Sequence, residues 1–319
     1  MARLLFVHAH PDDETLTCGV TMAHHVARGD EVHVLTCTLG EEGEVIPPGL
    51  AHLEGDPHDR LGPHRHGELL LATERLGAVS HVLGTDPASG RLSRYRDSGM
   101  VGSPAAARPE AFAGADLDEA AGLVADVVRD VRPDVVVTYE EHGGYGHPDH
   151  VQAHRVTRRA MEVLGDADLP RHAYEIVTPL GWAREDRAWL QSVDPDLLDT
   201  RAWWAEQDLG ISGAPDGPGG PDGREAPAAP VLVVPAPGDA FAPSVVDDDL
   251  VTHVVHDATA RTAQNAALRA HATQVVVANE DVHALSNLIA VRTTAREGFR
   301  QVDPRTWRPT GRRGTDLLA

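Results

Sequence analysis

The first apolar run of the chain, Leu4-Leu5-Phe6-Val7, ends abruptly in His8-Ala9-His10-Pro11-Asp12-Asp13-Glu14. Four large apolar residues in a row read as a strand buried on both faces, and the polar change marks the loop it feeds. This strand is expected over residues 3–8. Residues 15–28 carry Leu16, Val20, Met22, Ala23 and Val26 at helical spacing and stop at Gly29, and residues 31–38 are again strand-like. Strand, helix and strand in that order predict a βαβ unit and a parallel sheet. Residues 39–60 read as an acidic loop, 68–76 as a helix, 80–83 as a strand and 85–109 as a long Gly/Pro/Ser-bearing loop. Loops of that length inside a domain usually carry function or lack order. Residues 116–129 form a strongly amphipathic pattern. The run Val135 to Thr138 follows, and Pro148 or Asp149 opens a helix to about residue 164.

Beyond residue 170 the periodicity weakens. Residues 173–177, 231–234 and 250–256 read as short strands and 258–274 as a helix. Residues 184–206, near Trp182, Trp189, Trp203 and Trp204, read as a helical cap. Residues 210–230, rich in Gly, Pro, Asp and Ala, read as a flexible insertion, and the tail from Pro304 as frayed. No internal repeat is present. The expected fold class is α/β, a mostly parallel sheet flanked by helices with a smaller C-terminal α+β extension. Residues 1–170 are expected as the catalytic core and 171–319 as an extension completing the pocket.

The chain has 319 residues, 41% of them hydrophobic, enough for a sizeable core. No apolar stretch approaches the ~20 residues of a membrane span, and the early apolar run is too short for a signal peptide, so a cytoplasmic protein is expected. The formal charge of −21 disfavours nucleic acid as a partner and leaves oligomeric state open. Cys18 and Cys37 are too few for a disulfide framework and read as small core residues. Lysine is absent altogether, and the composition is that of a high-GC bacterial genome. Schiff-base, pyridoxal and P-loop chemistry, which need a lysine, are thereby excluded.

The second strand run is followed by Gly143-Gly144-Tyr145-Gly146-His147-Pro148-Asp149-His150. Nineteen histidines make chance clusters expected, and a lone His-x-x-Asp carries little weight. Two His/Asp loops at two strand ends carry more, because the loops at the carboxyl ends of parallel strands meet in one crevice. His10 and Asp13, three apart, can converge on one ion, with His150 as third ligand and a position left for water. Asp12 cannot easily share that ion with its neighbour but can reach the water as a base. His147 can serve as general acid or steady negative charge, with Asp149 orienting it, and Tyr145 can donate to an oxyanion. Zinc suits the ligand set, as do Fe(II), Mn(II) and Co(II).

His10-Pro-Asp-Asp-Glu14 and His147-Pro-Asp-His150, at this separation, resemble the PIG-L/LmbE-type zinc-dependent N-deacetylases. Gly40-Glu-Glu-Gly-Glu-Val45, Gly62-Pro-His-Arg65, Arg94-Tyr-Arg-Asp-Ser-Gly-Met100 and Ala270-His-Ala-Thr-Gln274 resemble the branch of that family in mycothiol biosynthesis. The resemblance implies a Rossmann-like fold and removal of acetyl from an N-acetylglucosaminyl-inositol. It implies one zinc on His10, Asp13 and His150, Asp12 as base, His147 as acid or stabiliser backed by Asp149, and Tyr145 on the amide carbonyl. It also implies Arg65 and Asp97 on sugar or inositol hydroxyls, with Met100, Glu44 and Gln274 lining the pocket. Residues 210–230 depart from the pattern.

The sister branch, which cleaves an amide of mycothiol S-conjugates, places Pro before the second His motif and Ser-Lys after the first. Here Gly146 and Thr15-Leu16-Thr17 stand at those places. Deacetylation of another amino-sugar conjugate is a further alternative. A dinucleotide-binding protein is disfavoured, because the first βα turn sets carboxylates where a pyrophosphate would sit. A purely structural metal module is disfavoured by the spare carboxylate of Asp12.

Overall fold

A computed structural model of the chain describes residues 1–208 and 229–318. The strands are β1 (Arg3–His8), β2 (Glu31–Thr36), β3 (Val79–Val82), β4 (Val135–Tyr139), β5 (His172–Ile176), β6 (Thr178–Pro179), β7 (Val245–Val246), β8 (His253–His256), β9 (Val276–Val277), β10 (Val282–Ala284), β11 (Val291–Arg292) and β12 (Arg296–Val302). The helices are α1 (Asp13–Ala27), α2 (Leu61–Leu76), α3 (Leu117–Val131), α4 (Gly143–Gly146), α5 (Pro148–Val163), α6 (Leu180–Ser192), α7 (Arg201–Asp208) and α8 (Ala260–Leu268). The main sheet has the order β3-β2-β1-β4-β5-β12-β8. Its first five strands are parallel, and β12 runs antiparallel to both β5 and β8.

The alternation of side chains along a strand explains the two core faces. Leu5 and Val7 of β1 pack with Val124 and Val128 of α3 and Val156 and Ala160 of α5. Leu4 and Phe6 point the other way, onto Val20 and Met22 of α1, Ala72 and Leu76 of α2 and Ala267 of α8. Both faces being covered, β1 reads as a continuous apolar run. Cys18 and Cys37 are buried free thiols within these two faces.

Connections leave β1 toward β2 on one side, while β4 lies on the other. That reversal opens a crevice at the carboxyl ends of β1 and β4, the ends that carry the two His/Asp loops.

The structure corrects some element expectations and extends others. The main sheet runs on past residue 170 through β5, β12 and β8. Strand β12 is hidden in the sequence because its residues, REGFRQV, look polar. Its buried Glu297 is satisfied by the N–H groups of Val20 and Thr21, and its Gln301 donates to the Tyr174 hydroxyl. The helical segment expected at 184–206 consists of two helices, α6 and α7, separated at Asp194-Pro195, where proline cannot continue a helix. Residues 231–234 make only single bridges, Val231 to Asp199 and Val233 to Ile289. Helix α2 starts at Leu61, earlier than expected, since Pro63 is tolerated in a first turn. The tail is packed: Leu317 is buried, its carbonyl accepts from the Tyr174 hydroxyl, and Trp307 Nε1 donates to Glu175. Of the insertion expected at 210–230, all but residues 229 and 230 lie outside the described residues. Among the described residues no helix is long and apolar enough to cross a membrane.

Candidate active site

Pro11 and the turn after β1 bring three atoms face to face across the crevice: His10 Nδ1, Asp13 Oδ2 and His150 Nε2. They lie 3.5 Å (His10–Asp13), 3.3 Å (His150–Asp13) and 3.2 Å (His150–His10) apart, and all three residues are buried. The partners of the far nitrogens favour one tautomer of each ring. His10 Nε2 faces the carboxylates of Asp149 (3.2 Å) and Asp97 (3.5 Å), so its proton sits there. His150 Nδ1 donates to the Gly143 carbonyl at 3.2 Å. Both rings therefore turn lone pairs inward, toward a carboxylate oxygen. In those tautomers three electron-rich atoms face one another and can share a cation; without one, the burial that opposes charge on His10 is overcome by Asp97, Asp13 and Asp149, which favour a protonated ring. Four ligands at ~2.0–2.1 Å in a tetrahedron lie roughly 3.3–3.4 Å apart, which is the spacing seen. The donor set fits a divalent metal.

Asp12 starts α1 with φ at 129°, a conformation rare outside glycine. Its carbonyl accepts from the N–H groups of Thr15 and Leu16, and its Oδ2 lies 3.2 Å from Arg65 Nη2. Burial pushes its carboxyl up to about 7, against the pull of Arg65 and with a further push from Asp13. Asp13 goes the other way: burial raises it, but His150 and His10 outweigh that and hold it well below the usual carboxylate range. Two adjacent carboxyls thus divide into a permanent anion and a group able to exchange a proton near neutrality.

His147 caps α5, its Nδ1 accepting from the Asp149 N–H at 3.2 Å, which leaves its proton on Nε2. Burial, reinforced by His10 and His150, pulls its pKa down to about 3, so the ring is neutral. A nitrogen of His147 comes within 4.8 Å of nitrogens on both neighbouring imidazoles. Tyr145 stands at the rim, half-exposed, with its ring centre 5.0 Å from that of His150 and 6.1 Å from that of His147.

The sequence puts Asp149 behind His147. Its carboxylate instead meets Ser98 N–H at 2.9 Å, Ser98 Oγ at 2.5 Å and His10 Nε2, so it orients His10. Arg65 is expected on a sugar hydroxyl. The structure buries it under the first turn, where its Nη groups donate to the carbonyls of Gly40 (2.7 Å) and Pro11 (2.6 Å) and to Asp12. Asp97 is also buried, accepting from Gly99 N–H at 2.7 Å beside His10. Met100 is exposed. Gln274 donates to the Glu44 carbonyl, and Glu44 lines a surface cavity of about 360 Å³ with Trp204 and Leu288.

A family model described as GlcNAc-PI de-N-acetylase, PIG-L, matches residues 5–161, the stretch that holds both loops. The chain is 44% identical over 316 residues to the 1D-myo-inositol 2-acetamido-2-deoxy-alpha-D-glucopyranoside deacetylase of Streptomyces avermitilis, covering 99% of this chain and 96% of that one. The chain belongs to the PIG-L family. The namesake protein of Thermobifida fusca is 41% identical over 320 residues, covering 98% of this PIG-L chain and 96% of its own. Among solved structures, N,N'-diacetylchitobiose deacetylase from Pyrococcus horikoshii aligns with a TM-score of 0.47 at 16% identity, over 95% of this chain and 84% of that chain.

Three residues of this PIG-L site are not evident from the sequence. Tyr139 ends β4; its ring stacks on His150 with centres 4.4 Å apart, and its hydroxyl accepts from Ala9 N–H. Ser98 anchors Asp149 from within the long loop. His271 reaches Glu14 at 2.7 Å from 257 residues away. The only sequence signal for Ser98 and His271 is their place inside motifs; for Tyr139 it is the terminal position on its strand.

Proposed function

We propose that this chain hydrolyses the acetamide of an N-acetylglucosaminyl-inositol to acetate and the free glucosaminyl amine, as the named activity of its relatives suggests. The observation that carries the reading is the convergence of His10 Nδ1, Asp13 Oδ2 and His150 Nε2 within 3.5 Å of one another, beside Asp12, whose carboxyl burial pushes up to about 7. His10, Asp13 and His150 would hold the metal, which we take as zinc, with Fe(II) the nearest substitute. When bound, such an ion supplies Lewis acidity toward water and the amide carbonyl.

The chain's own groups do the rest. Asp12, ionised near neutrality, takes the proton of the attacking water, and its pKa of about 7 lets it return that proton to the departing amine. His147, neutral and carrying its proton on Nε2, donates a hydrogen bond to the developing oxyanion; this favours the stabilising role over the acidic one. Tyr145, at the rim, supplies a second donor once substrate enters. Asp149 and Asp97 keep the His10 lone pair turned inward. Met100, Glu44 and Gln274 line the approach to the aglycone. A small amino-sugar inositol in the cytoplasm is the partner this reading requires.

The test is release of acetate and free amine from N-acetylglucosaminyl-inositol by metal-quantified protein, with and without chelator, beside a mycothiol S-conjugate. Chelator-sensitive acetate release with little conjugate cleavage is expected. Dominant conjugate cleavage would move the chain to the amidase branch, and turnover of neither would overturn the substrate.

A further inference from the structure

The strained backbone of Asp12 raises the question of what holds it. A non-glycine residue in such a conformation costs about 1–3 kcal/mol and persists only where its surroundings over-determine it. The Asp12 N–H donates to Glu14 Oε2 at 3.0 Å. The other oxygen of that carboxylate, Oε1, accepts from Thr15 Oγ1 at 2.5 Å and from His271 Nε2 at 2.7 Å. Glu14, Thr15 and His271 are all fully buried. Removing His271 would leave a buried carboxylate short of a partner, and Glu14 is the acceptor that fixes the Asp12 amide.

His271 is itself held from two sides. Helix α8, which precedes it, lies close against α1. Gly19 makes room for Gln264, whose Cγ would come within 2.7 Å of a Cβ there, and Gln264 Nε2 donates to the Thr15 carbonyl at 3.2 Å. On the other side Glu68 of α2 accepts from Thr273 N–H at 2.8 Å and Oγ1 at 2.6 Å.

We infer that His271, acting through the carboxylate of Glu14, is a positioning residue that locks the catalytic turn at Asp12. This deepens the deacetylase reading and rests on it. The lock gives the packing of α8 against α1 a chemical purpose: a side chain just after α8 sets the angle at which the base in the first turn meets water.

The experiment measures kcat, KM, bound metal and thermal midpoint for His271→Ala, His271→Gln and Glu14→Gln, each also in an Asp12→Asn background. His271→Ala is expected to lower kcat ~10- to 100-fold, with KM and metal content little changed. His271→Gln, which restores an N–H donor, is expected to recover most of the rate. In the Asp12→Asn background the effect on kcat is expected to vanish, because nothing remains to be positioned. Equal loss in both backgrounds, loss of metal, or an unchanged kcat would overturn the inference. Should His271→Ala not fold, the comparison of His271→Gln with Glu14→Gln decides by the same criteria. A crystal structure of a folded variant supplies a test independent of turnover. Asp12 is expected to leave its positive φ or to part from Arg65, and an unmoved Asp12 overturns the inference. Wild-type protein that releases no acetate would sink the deacetylase reading, while the position of Asp12 in the variant would still decide for or against the lock.

Discussion

At the scale of single residues, the crevice sets a carboxyl held anionic, Asp13, beside one pushed toward neutrality, Asp12. Asp12 is the carboxylate of the crevice whose pKa is pushed to about 7 while Arg65 fixes one of its oxygens. Asp12→Asn is therefore expected to lower kcat by ~10²–10⁴ while the metal content, read by elemental analysis, stays near wild type. Asp149→Ala should do the reverse of what its place beside His147 in sequence suggests. With the His10 ring released, metal affinity should fall ~10- to 100-fold in a competitive chelator titration. The proposed ligand residues are legible in the sequence because each lies in the loop or first helical turn that follows an apolar strand, on the side of the sheet where those loops meet. The partners of Arg65, Asp97 and Asp149 are not. Each is decided by which neighbour fills the space behind the crevice, and no local pattern carries that. Arg65, Asp97 and Asp149 all read as surface or site-facing charges, and all three are buried.

At the scale of elements, α5 depends on how closely its first turn meets the loop before it. Gly143 has φ +66°, and a Cβ there would stand 2.6 Å from Val151 N and 2.7 Å from His150 Cβ. Gly143→Ala is expected to push His150 off its carbonyl anchor, weakening metal retention and lowering stability by about 1–3 kcal/mol, measured by metal content and urea unfolding. The small sheet β9-β10-β11 carries a different sensitivity. Burial lowers His283 to about 4, and its Nδ1 pairs with Thr293 Oγ1. The unfolded chain takes up a proton near 6.5 where the folded chain does not, so this contribution is present above that pH and lost on acidification toward 4. Between pH 7.5 and 5 wild type should lose about 2 kcal/mol more than His283→Asn in urea unfolding. Helices with a clear apolar stripe, such as α3 and α5, are readable within a few residues. Strand β12 is not, because its buried polar residues are satisfied by hydrogen bonds inside the protein, and polarity then ceases to mark the surface.

At the scale of the whole molecule, the sheet draws strands from both ends of the chain, and the tail seals its far side. Arg305 donates to the carbonyls of Met161 and Leu164 at 2.9 Å, and Trp307 and Leu317 are buried. Removing residues 304–319 is expected to lower the thermal midpoint by ten degrees or more, on the order of the burial of two large side chains. A net charge of −21 also opposes compaction. Raising sodium chloride from ~0.05 to ~0.5 M should shift the midpoint of the intact protein upward by a few degrees as the charges are screened.

Strand β12 has a consequence for how the protein is made. About 120 residues lie between the end of β5 and the start of β12. At ~5–20 residues per second of synthesis, the open edge of β5 waits roughly 6–24 s for its neighbour. During that interval the nascent chain offers an unpaired strand to any other extended segment. Shielding of that one edge for those seconds then becomes a requirement of synthesis, separate from the stability of the finished fold.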